Sequence, residues 1–171
     1  MHRALLLATL ILLSGRVRDA AAQRKLRPEP AGSSGPAVTL SISGKVDGKT
    51  LQASGSGSCR HAPDASIRGI SASLWMVEFG ARDGGLRQLT LTLWRPKDES
   101  PDQLSLVVET NTGSYRIDTG RPGEAKGEGS VTILPSGPGG RLEIKGKESG
   151  GKPVQISIDC PAFSGIEAEG G

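Results

Sequence analysis

The chain has 171 residues, with 21 Lys and Arg against 18 Asp and Glu, 25 Gly, 11 Pro, two Cys and only five Trp, Tyr and Phe together. That glycine and proline load excludes an architecture of long helices, and the scarcity of aromatics leaves Leu, Ile and Val to build the core. Residues 1–22 carry much of the excess charge: without them Lys and Arg fall to 18 and Asp and Glu to 17, a net charge of +1, which gives no electrostatic reason to expect nucleic acid or an acidic membrane as a partner.

Met1, His2 and Arg3 form a short basic start, and Ala4 to Leu13 is an uninterrupted apolar run. The run has the length of a signal-peptide core and is too short to span a bilayer. Ala20-Ala21-Ala22 supplies a small-residue cleavage site, although Arg16, Val17, Arg18 and Asp19 make the approach to it unusually charged. Residues 1–22 are therefore expected to be an export signal, leaving a periplasmic or extracellular protein with no transmembrane segment. No cysteine lies near the site to accept a lipid. Residues 23–36, punctuated by Pro28, Pro30 and Pro36, read as a flexible Pro/Gly/Ser-rich tether whose Arg24-Lys25-Arg27 is a solvated start.

At Ala37 the pattern turns to alternation. Val38, Leu40 and Ile42 face one way and Thr39, Ser41 and Ser43 the other, the period of a half-buried strand. Asp47-Gly48 then signals a hairpin, and the returning run from Lys49 to Ser58 ends in Gly55-Ser56-Gly57-Ser58, where missing side chains point to close backbone approach. Arg60 to Gly69 is expected to be a loop turning at Pro63-Asp64. Ile70 to Phe79 is apolar on both faces and reads as an interior strand, with Trp75 in the core. Leu89, Leu91 and Leu93 alternate with Thr90, Thr92 and Trp94 in a one-sided strand, and a charged loop spans Arg95 to Asp102. Further short strands are expected around Leu104 to Val108, Tyr115 to Ile117, Val131 to Ile133, Leu142 to Ile144 and Val154 to Ile158. The pattern predicts an all-β fold, an antiparallel β-sandwich or small barrel of roughly nine short strands over residues 37–161. Residues 162–171 read as a loose acidic tail with a docking point at Phe163.

Cys59 and Cys160 sit near the end of the second strand and at the end of the last. In an exported protein they are expected to form one disulfide. The competing reading makes Cys59 a nucleophile beside His61, but the chain offers no group to orient the pair. His61 is the only histidine after residue 22, so the His pairs of common zinc sites are missing, and Asp47, Asp64, Asp83, Asp98 and Asp102 are scattered over separate turns rather than set in a calcium loop. No cofactor motif is present, and neither metal nor cofactor is expected. Glu78 and Glu109 are the carboxylates a hydrolase would have to bring together in a cleft. Trp94, on the polar side of its strand beside Arg95, is the best aromatic for stacking on a sugar or peptide.

The stretch from Ser54 to Trp75, the LTLWRPK segment from Leu91 to Lys97 and the closing ISIDC from Ile156 to Cys160 resemble small exported bacterial β-proteins of unassigned function. A hairpin leading to the first cysteine, with a last strand ending in the second, is similar in layout to the mycobacterial surface lipoprotein antigen. The resemblance implies a secreted β fold and a surface location. The expected function is thus a non-enzymatic binding or structural β-domain of the bacterial envelope or medium, with a cell-envelope glycan or protein as its partner; the alternatives are a carbohydrate- or peptide-binding module using Trp94 and Arg95, and a hydrolase.

Overall fold

The computed structural model describes residues 37–82, 84–120, 123 and 125–166. The expected export signal, the tether, Asp83 and the end of the acidic tail lie outside them. Nine strands form a single antiparallel sheet: β1 (Val38–Val46), β2 (Lys49–Ile67), β3 (Ile70–Gly80), β4 (Leu86–Pro96), β5 (Gln103–Thr110), β6 (Gly113–Asp118), β7 (Glu128–Ser136), β8 (Gly139–Lys147) and β9 (Pro153–Cys160). A two-residue strand, β10 (Ser164–Gly165), pairs in parallel with β2. The order across the sheet is β6-β5-β4-β3-β2-β1-β9-β8-β7, and the sheet curls into a half-barrel. The expected all-β antiparallel fold, a sandwich or small barrel of roughly nine short strands, is present as one sheet curled into a half-barrel.

Two tight hairpins set the register of the first three strands. Asp47 and Gly48 have φ of 52° and 74°, and Arg68 and Gly69 have φ of 53° and 81°, the double left-handed conformation of a two-residue turn whose twist matches its strands. The second hairpin corrects the expected 60–69 loop. β2 continues through Pro63 and Asp64, which occupy a register shift between Ala62 and Ala65, and turns only at Arg68-Gly69. A bulge accommodates a proline that lacks a ladder donor, so Pro63-Asp64 bends the strand without ending it. The close approach expected near Gly55 is also present: a Cβ there would lie 2.7 Å from the Gly80 carbonyl oxygen and 3.0 Å from the Phe79 ring.

Alternation along each strand sends one set of side chains inward. Leu40, Ile42, Val77, Leu89, Leu91, Leu93, Leu106, Ile117, Leu142, Ile144 and Ile158 are buried in one contiguous core, each contributing about 2 kcal/mol through the water it leaves. All eight pairings along the sheet are antiparallel. An even number of reversals leaves the outermost strands, β6 and β7, running in the same sense, so they cannot close the ring as another antiparallel pair. The two margins meet through side chains and a single bridge between Asp118 and Lys126.

β1 lies between β2 and β9, and its pairing with β2 stops at Val38 opposite Gly57. Just beyond that end Cys59 and Cys160 are bonded across, with Cα atoms 6.0 Å apart and a sequence separation of 101. In the chain-entropy description a loop of that length corresponds to about 4.7 kcal/mol. β10 then occupies the β2 edge that β1 vacates, pairing Ser164 with Arg60 and Gly165 with His61. Ser164 Oγ donates to the Cys59 carbonyl at 3.3 Å, and the Phe163 N–H donates to the Pro138 carbonyl at 2.9 Å.

Candidate functional site

Trp94 and Arg95 are consecutive on β4, so they project from opposite faces of the sheet. Arg95 faces inward at one end of the half-barrel. Its Nε donates to both Asp102 oxygens, at 3.3 and 3.0 Å, and its Nη2 donates to Asp102 Oδ2 at 2.9 Å and to the Val131 carbonyl at 3.1 Å. The guanidinium also lies 5.4 Å from the centre of the Trp75 ring. This one side chain therefore ties the end of β4 to the loop before β5 and to β7 across the open margin. Both partners of the ion pair are partly exposed, and its worth is mainly positional.

Trp75 carries the rest of that end. Its ring is stacked on His61, with centroids 4.4 Å apart and planes 11° apart, and Phe163 meets His61 edge-on at 6.2 Å. Trp75 is half-buried against the core, a wall at the mouth rather than the central residue expected. Nε2 of His61 is buried without a hydrogen-bond partner, and burial holds the imidazole below its usual pKa. Cys59 and His61 do share a face, as a continuing strand requires, but the sulfur is bonded to Cys160.

Trp94 faces outward, directly opposite Leu74, and beside it Pro96 is opposite Ala72. Leu74, Ala72 and Pro96 are buried outside the main core, so Trp94 rests half-exposed on a small outer apolar patch. From Trp94 the outer face of β4 continues through Thr92 and Thr90 to Gln88, a line of about 20 Å at strand rise. Thr92 lies opposite Met76, Thr90 opposite Glu78 and Gln88 opposite Gly80; those three in turn lie opposite Arg60, Ser58 and Ser56. An open groove of about 500 Å³ is lined here by Ser56, Ser58, Glu78, Arg87, Gln88 and Thr90, among others.

Two strands from this line, on β2 and on the same face, sits the one deeply buried charged side chain among the described residues. Arg60, 4% exposed, donates from Nη2 to Glu78 Oε1 at 3.1 Å, while Glu78 is 50% exposed. Arg60 Nε and Ser58 Oγ are buried and unpartnered. The sequence offered the means to find this cluster, because Ser56, Ser58 and Arg60 keep the period of two; placing a loop at Arg60 hid it. Glu78 and Glu109 lie on the same outer face with β4 between them, Glu78 in line with Thr90 and Glu109 with Gln88.

The scattered aspartates serve different ends. Asp47 forms a hairpin turn and Asp98 accepts from the Ser100 N–H at 2.9 Å, but Asp64 pairs with Lys97 at 2.6 Å and Asp102 with Arg95. Among the described residues no three of His, Cys, Asp or Glu come together as metal ligands, and no helix is long and apolar enough to cross a membrane. Comparison of the chain with protein-family models, curated proteins and solved structures finds no match.

Proposed function

We propose that this protein is an exported, disulfide-stapled β-module of the bacterial envelope or medium, and that it works by binding through the outside of its sheet rather than by catalysis. The observation that carries the reading is the solid interior. Leu, Ile and Val side chains with essentially no exposure fill the half-barrel, so a partner is met on the outer face, where open grooves lie. The basic start, the apolar run and the small-residue site support export. The bonded pair Cys59–Cys160 fits an oxidising compartment.

Expression of the full chain in a bacterial host, followed by fractionation and mass measurement, tests the reading. The expected product begins at Gln23, lies outside the cytoplasm, has no titratable thiol when denatured, and co-sediments with isolated cell envelope. A full-length cytoplasmic product with two free thiols overturns export. Failure to co-sediment overturns envelope binding.

A further inference from the structure

We infer that the outer face of β4 is a binding track for a neutral cell-envelope oligosaccharide, with Trp94 as the stacking platform and Glu78, Gln88 and Thr90 as partners for sugar hydroxyls. The inference rests on the binding-module reading above and names the ligand class. Its elements share one face and one line: Trp94, Thr92, Thr90 and Gln88 alternate along β4, with Glu78 opposite Thr90 on the adjacent strand and the groove at the Thr90–Gln88 end, two residues along from Thr92 and four from Trp94.

Three features select this chemistry. A sugar ring presents an apolar C–H face and a polar rim, which suits an indole at one end of a row of hydroxyl, amide and carboxylate groups. The charges along the line also nearly balance, since Arg60 is bonded to Glu78 and the exposed Arg87 on the groove is countered by the exposed Glu109 in the Gln88 row. A phosphorylated or strongly acidic ligand would find no basic field there. Finally, the track is the middle of a sheet whose backbone groups are already paired between β2, β3, β4 and β5. A peptide laid across it would have to satisfy its own N–H and C=O groups with side chains alone.

Arg60 acts here as a positioning residue. Buried on β2 beside the track, it holds the Glu78 carboxylate while leaving that carboxylate half-exposed to a ligand, so little rotamer freedom is lost on binding.

The test uses the exported full chain and isolated cell envelope, native or oxidised with periodate, which cleaves vicinal diols in glycans. Retention on native envelope is expected to fall with periodate, and to weaken about tenfold or more in Trp94→Ala and in Gln88→Ala. Ser43→Ala, on the outer face of β1, is expected to leave it unchanged. Should Trp94→Ala fail to fold, Gln88→Ala and Thr90→Val, which alter surface side chains, carry the comparison. Retention that survives periodate, or that is indifferent to Gln88→Ala and Thr90→Val, overturns the glycan track and leaves the binding module standing. Absence of retention on native envelope removes the module reading itself.

Discussion

Two tryptophans, one strand apart, do opposite work. Trp75 faces inward and is held by His61 and by an Arg95 committed to Asp102 and Val131. Trp94 faces outward on the patch around Leu74, at the head of the line of Thr92, Thr90 and Gln88. The indole paired with a guanidinium packs at the barrel's end, while the indole without one leaves a surface available. What separates them is packing: Trp75 is stacked on His61 and lies under the Arg95 guanidinium, whereas Trp94 has no aromatic or cationic partner among the described residues.

The contrast can be broken first at its shared support. Removing the bridge with Cys59→Ala or Cys160→Ala is expected to cost about 4 kcal/mol, with the double variant no worse than either single one. Thermal melts check this, and additive losses would mean that the two cysteines act separately. Next, Trp75→Ala should lower stability by about 3 kcal/mol, against about 1 kcal/mol for Trp94→Ala. Denaturant midpoints compare them; equal losses would erase the distinction between wall and platform.

The smallest effect isolates the inner cluster alone. Burial depresses the His61 pKa from 6.5, so the unfolded chain takes up that proton more readily than the folded one. Stability is then full above pH 6.5 and declines as the pH falls below it. The other ionic groups at this end are Arg95, a cation beyond Trp75, and Asp102, which Arg95 holds. His61→Phe is expected to flatten the profile between pH 7 and the onset of carboxylate protonation near about 4. Denaturant midpoints across that interval decide it, and an unchanged slope would assign the dependence elsewhere.

Much of the fold was legible because period-two alternation in Val38 to Ile42, in Leu89 to Trp94 and in Val154 to Ile158 translates directly into one buried and one open face. The Cys59–Cys160 bond was legible from compartment and count. Two things were not. Pro63-Asp64 carries the composition of a turn, and only long-range pairing with β3 makes it a bulge inside a 19-residue strand. Trp94 and Arg95 looked like one platform because they adjoin in sequence, although the alternation that predicted their strand also places them on opposite faces. The Arg60–Glu78 contact joins β2 to β3, and such a contact has no local signature.

The position of β1 has a consequence in time. It is the first of the described strands to be synthesised, yet one of its neighbours is β9, the last long one among them, and Ile42 pairs with Ile158. The emerging chain therefore lacks one side of this central ladder until β9 has left the ribosome. Contacts of such long range also form slowly. The sheet therefore closes late: until β9 pairs with β1, the hairpins on either side of that ladder remain unjoined.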